Sequence, residues 1–245
     1  MIAIVSSISL LPPQPNCNAG ATRSIGPIRS RRAAVLAVLL WLTVGAGTGA
    51  AQAAHPDGES DEKPSTSRAA TTLAFLGGAA TAFGAHEAAH LLFDTLFGAQ
   101  PGVKRVDYGG IPFFAITHDP VSRREEFVIS SAGFWTQNAI DEWLLTSRPA
   151  LRNEHAPFAK GMLAFNVLAS GAYAIAAFTG TGPPERDTRG MAVSLGPRGV
   201  DERWIGALVL APAVLDAYRY YAPHARWAVW TSRAVKVGMV LLVLR

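Results

Sequence analysis

AATTLAFLGGAATAFGAHEAAHLLFDTLF, residues Ala69 to Phe97, is an apolar run whose only ionisable side chains are His86, Glu87, His90 and Asp94. About 20 apolar residues in a helix cross the hydrocarbon core of a bilayer, so this run is long enough to span. Residues four apart on a helix lie one turn apart on one face, so His86 and His90 can grip one zinc ion. Glu87, between them, is the residue type that takes a proton from water held at such a metal. Ionisable groups at membrane depth are costly and usually mark function. The run is therefore read as a membrane helix carrying two Zn2+ ligands and a general base. The bland alternative is a structural cluster, in which all three side chains would need other partners. Gly77, Gly78, Ala82, Gly84 and Ala85 would let neighbouring helices approach this one closely.

Composition agrees with a membrane setting. The 245 residues are 49% hydrophobic and 16% charged, well below the roughly one quarter charged of soluble domains. The net charge of +4 is spread between apolar segments, without an aromatic stacking platform. This fits loops flanking membrane helices and argues against a nucleic-acid partner. A single cysteine, Cys17, excludes an internal disulfide framework and a thiolate zinc cage.

At the N-terminus, Arg23, Arg29, Arg31 and Arg32 precede the apolar run AAVLAVLLWLTVGAGTGA and then Ala51-Gln52-Ala53. Positive flank, apolar core and small-x-small end predict a secretory signal over residues 1–53, with a retained anchor as the alternative. Residues 54–68, polar and rich in Pro, Ser and acidic groups, predict a flexible linker. The remainder, 69–245, reads as one membrane-embedded domain.

Within it, Val103 to His118 holds two β-branched and aromatic runs around Gly109-Gly110, which predicts a β-hairpin. Pro112 consigns the second strand to an edge. Further helices are expected over 124–145, 158–178, 204–221 and 227–244, with a polar loop between the third and fourth helices of the domain. The predicted fold class is all-α: a polytopic helical membrane protein with about five transmembrane or membrane-embedded helices and a small hairpin after the first.

Catalytic zinc normally takes three protein ligands. His86 and His90 lie near the end of the first span, on a membrane face called X here. The second span crosses to face Y and the third returns to X, so Asp187, a few residues beyond it, reaches the correct face. Asp216 would have to reach across the membrane. His118 and Asp119, in the first X-side loop, compete with Asp187, whereas His155 and His224 fall on face Y.

These motifs resemble the site-2 protease family, the intramembrane zinc metalloproteases, over most of residues 69 to 220. The family carries a His-Glu-x-x-His motif in one transmembrane helix, matched here by His86, Glu87 and His90. Ser131 to Asn138, SAGFWTQN, is similar to the family's Ala-Gly-Pro segment ending in Asn, with Phe134 where Pro is usual. The family's third ligand is an Asp in a Pro-rich Asp-Gly segment. In GPPERDTRG the matching residue is Asp187, followed by Thr188 and only later by Gly190. The resemblance implies His86, His90 and Asp187 as metal ligands and Glu87 as general base and then proton donor to the leaving amine. Asn138 would hydrogen-bond substrate backbone or the tetrahedral intermediate; helix–helix hydrogen bonding is its plain alternative.

The expected activity is hydrolysis of a peptide bond in or near a transmembrane segment of a protein or peptide substrate, by an integral protein of the bacterial inner (cytoplasmic) membrane in contact with lipids. A non-proteolytic metal-binding or structural membrane protein that binds a partner is the competing expectation. The sequence names neither the substrate nor the oligomeric state.

Overall fold

The computed structural model describes residues 67–108, 111–196 and 198–244. The expected signal segment, nearly all of the linker and the Gly109-Gly110 turn lie outside the described residues. Six helices and one two-stranded sheet make up the described chain: α1 (Arg68–Phe97), β1 (Gly102–Tyr108), β2 (Ile111–Thr117), α2 (Arg123–Ser147), α3 (Pro157–Thr179), α4 (Asp187–Ser194), α5 (Glu202–Tyr221) and α6 (Arg226–Leu244). The five long helices and the hairpin fall where the sequence places them.

Local chemistry sets the ends. Ser67, at the close of the expected linker, caps α1 by accepting from the Ala70 amide, and Gly98 ends it in the left-handed conformation that glycine adopts freely. Ser122 and Glu125 form a reciprocal capping box at the start of α2. Pro157 opens α3, where a missing N–H leaves nothing unpaired, and Gly180 closes it. The strands pair antiparallel with Lys104 opposite Ala115 and Val106 opposite Phe113. The Asp119 amide, donating to the Ala99 carbonyl at 2.7 Å, closes the base of the hairpin.

α1 and α3 make the most extensive helix contact, followed by α3 with α5 and α1 with α2. Glycines permit the first of these. A Cβ on Gly78 would fall on the Phe158 carbonyl oxygen, and a Cβ on Gly161 on that of Phe75. Two apolar clusters divide the bundle. One, including Phe93, Ile129, Phe134, Trp135, Met191 and Val209, lies at the end where α4 packs. The other, with Ala82, Leu144, Leu151 and Leu163, fills the opposite half.

The polar loop expected between α3 and α5 differs from that reading. It contains α4, an eight-residue helix that begins at Asp187 and buries Met191 and Ala192 in the first cluster. Among the described residues one helix, Pro157–Thr179, is long and apolar enough to cross a membrane. The other long helices carry ionisable residues in their interiors, among them His86 and Glu87 in α1, Asp141 and Glu142 in α2, Asp216 in α5 and Lys236 in α6.

Candidate metal centre

α1 delivers His86 and His90 to one face, one turn apart, with ring centroids 4.9 Å from each other. α4 delivers Asp187 from its first residue, where a carboxylate also complements the helix dipole. The three side chains meet in the interior, at 3%, 1% and 1% exposure, which excludes a solvated surface pair. Asp187 Oδ2 lies 3.2 Å from His86 Nε2 and 3.5 Å from His90 Nε2. Two ligands at about 2.0–2.1 Å from a tetrahedral zinc ion are separated by about 3.3 Å, so the spacing already suits a shared ion. Each of the three residues offers one ligand atom, and these atoms all lie within 4.8 Å of one another.

The surroundings select the ligand atoms. His90 Nδ1 lies 2.8 Å from the Ile129 carbonyl, which can only accept, so Nδ1 donates there and Nε2 is the ring nitrogen left facing the centre. That Nε2 has no hydrogen-bond partner among the described residues, and neither does Asp187 Oδ1. Buried polar atoms without partners are uncommon, and a cation placed among these would satisfy both. His86 is walled by Phe134 and Tyr173, 5.6 and 6.1 Å away between ring centroids, and by the backbone of Gly133, whose Cβ would enter the imidazole. Phe134 therefore serves as an edge contact for the His86 ring.

Burial alone would push the Asp187 carboxyl up. The adjacent His90 and His86 rings outweigh it and hold the group well below the usual carboxylate range. Asp187 is thus a carboxylate, the form that ligates metal. Glu87 is half-buried beside the cluster, with His90 and Asp187 as its ionisable neighbours, and its Oε2 has no partner among the described residues.

Of the competing third ligands, none joins the centre. His118 pairs with Glu126 at 3.4 Å and donates from Nδ1 to the Asp119 carbonyl at 2.9 Å. Asp119 is exposed. Asp216 is bound into a separate network with Lys236, Ser232 and Arg219. His155 and His224 sit in the α2–α3 and α5–α6 connections. Asn138 is not brought to the cluster either: its amide donates to Met239 Sδ of α6 at 3.7 Å, a helix-to-helix contact. Its neighbour Gln137, buried at 2% exposure, faces His86 instead.

Two residues of the site escape a reading by motif. Gln137 is one. Tyr173 of α3 is the other, its hydroxyl hydrogen-bonded to Asp187. The only sequence signal for Tyr173 is a hydroxyl in an otherwise apolar stretch of α3. No protein-family model, curated protein or solved structure matches the chain.

Proposed function

We propose that the chain is an intramembrane zinc metalloendopeptidase, cutting a peptide bond in or beside a transmembrane segment of another protein. The observation that carries this reading is the convergence of His86, His90 and Asp187, from elements a hundred residues apart, beside the unpartnered carboxylate oxygen of Glu87. His86, His90 and Asp187 would hold the ion. Zinc bound there supplies a Lewis acid that polarises the scissile carbonyl and acidifies water. Glu87, within the same turn of helix, accepts the proton released as water attacks and returns it to the departing amine. Tyr173 orients Asp187, and the Ile129 carbonyl fixes the tautomer of His90.

A polytopic membrane setting, in the bacterial inner membrane, completes the proposal. Its support is the outer surface of the bundle, which exposes Leu73, Leu76, Leu168, Ile175 and Leu241. Trp143, Tyr218, Tyr221, Trp227 and Trp230 are exposed near the Y-side ends of α2, α5 and α6, and Trp204 near the X-side start of α5. Aromatic side chains at both ends of a bundle are characteristic of membrane–water interfaces. With the signal removed, face X is cytoplasmic; it carries Lys104, Arg105, Arg123, Arg124, Arg186, Arg189, Arg198 and Arg203 against Arg148, Arg152, Lys160, Arg219 and Arg226 on face Y, a slight bias in the direction of the positive-inside rule.

The near-complete burial of the three ligands favours, as a second reading, a metal-binding membrane protein that holds a partner without cutting it. Zinc per chain in detergent-purified protein tests the site. About one zinc in the wild type, and well under one in His86→Ala and Asp187→Ala purified in the same way, is expected. No uptake after metal loading would overturn both readings.

A further inference from the structure

Asp187 has neighbours whose placement the metal centre itself does not explain. Glu185, Arg186 and Thr188 are all buried, at 7%, 5% and 0% exposure, although their segment reads as a polar loop. One carboxylate organises two of them. Glu202, in the first turn of α5, accepts from Arg186 Nε at 2.6 Å and Nη2 at 2.5 Å, a two-pronged pairing. The same carboxylate accepts from the Thr188 hydroxyl at 2.7 Å. The third nitrogen of Arg186, Nη1, donates to the Pro183 carbonyl at 3.1 Å and so pins the turn that leads into α4.

Asp187 lies between the two residues that Glu202 grips. Its backbone is therefore fixed on both sides by a single group on another helix. Forked arginine–carboxylate pairs are directional as well as strong, and this one is largely shielded from water. With Arg186 and Thr188 held, the first turn of α4 has one orientation, and the Asp187 side chain points at His86 and His90.

We propose that Glu202 is the positioning residue of the third metal ligand: it acts on the centre only through Asp187, by clamping the residues on either side. The inference rests on the reading of His86, His90 and Asp187 as a metal site. Groups outside the ligand shell that orient ligands typically change metal affinity by about 10- to 100-fold when removed.

The test compares zinc affinity, by chelator competition on the full-length chain in detergent, for wild type, Glu202→Gln, Asp187→Ala and the double variant. Glu202→Gln preserves shape and removes the charge. Its zinc affinity should fall about 10- to 100-fold, and its cobalt-substituted absorption spectrum should move toward that of Asp187→Ala. In the Asp187→Ala background the same substitution should change nothing further. Wild-type affinity in Glu202→Gln, or an equal loss in both backgrounds, overturns the inference. Should Glu202→Gln fail to fold, Thr188→Val replaces it and is judged by the same two criteria. Zinc lost in Asp187→Ala but retained in Glu202→Gln defeats the clamp alone, whereas a wild type that takes up no zinc defeats the metal site and the clamp together.

Discussion

Gly133 shows how closely the centre is built around individual atoms. Its missing side chain is the space that the His86 ring occupies, so Gly133→Ala should displace a ligand. Overpacking of this kind costs about 1–3 kcal/mol, and the variant is expected to show both a lower unfolding midpoint and weaker zinc binding. A Cβ on Gly84, in the same helix as His86, would meet open space; Gly84→Ala is the control and should leave zinc unchanged. For Glu87 the expectation is the reverse. Glu87→Gln keeps the volume and the ligands but cannot accept a proton, so zinc stays near one per chain while cleavage of a transmembrane reporter falls by about 10^2–10^4-fold. Retained cleavage in that variant would remove Glu87 from the chemistry.

Among the elements, the contact between α1 and α3 matters most, because α1 carries two of the candidate ligands and α3 carries Tyr173. The helices meet through reciprocal glycines, Gly78 under the Phe158 carbonyl and Gly161 under that of Phe75. Close backbone approach through small residues is how helices associate where lipid supplies no hydrophobic drive. Gly78→Ala and Gly161→Ala should each lower stability by about 1–3 kcal/mol through overpacking. The double variant should lose less than the sum, since either methyl already forces the same interface apart. Thermal unfolding in detergent measures all three, and strict additivity would show that the two contacts are independent. At this scale the sequence was most legible in the small-residue run from Gly77 to Ala85 and in the lengths of the apolar stretches; the caps at Ser67 and Ser122 and the Pro157 start are local too, but only the structure brought them out. The α4 helix was not legible, because an eight-residue polar segment gains its helical form from burial of Met191 and from the Glu202 clamp, both non-local.

Across the whole molecule, buried polar chemistry among the described residues gathers at several points of the bundle. The candidate metal centre occupies the end of the bundle where α4 packs. Between α2, α5 and α6 lies a second network, in which Glu142 binds Arg219, Arg233 and Lys236, and Asp216 binds Lys236 at 2.7 Å, Ser232 at 2.7 Å and Arg219 at 3.2 Å. Breaking a buried pair leaves uncompensated charge and typically costs about 3–5 kcal/mol. Asp216→Ala should therefore destabilise the bundle by that order, measured as loss of the folded fraction on heating or in denaturant. Its zinc content should remain that of the wild type, since the partners of Asp216 are Lys236, Ser232 and Arg219 rather than the three ligands. A loss of zinc at unchanged stability would mean that the two sites are coupled.

The sequence by itself determined the long helices, the hairpin, the shared face of His86 and His90 and the end of the bundle to which Asp187 belongs. Each follows from local spacing, capping or chain order, which need no knowledge of the partners. Tertiary structure alone decided that Asp187 arrives within 3.2 Å of His86 rather than stopping in a solvated loop. It also decided that Gln137, not Asn138, turns toward the centre. Adjacent residues on a helix point about 100° apart, as 3.6 residues complete a turn. Which of them faces inward depends on how α2 rotates against α1 and α6, and that rotation is set by contacts far apart in the chain.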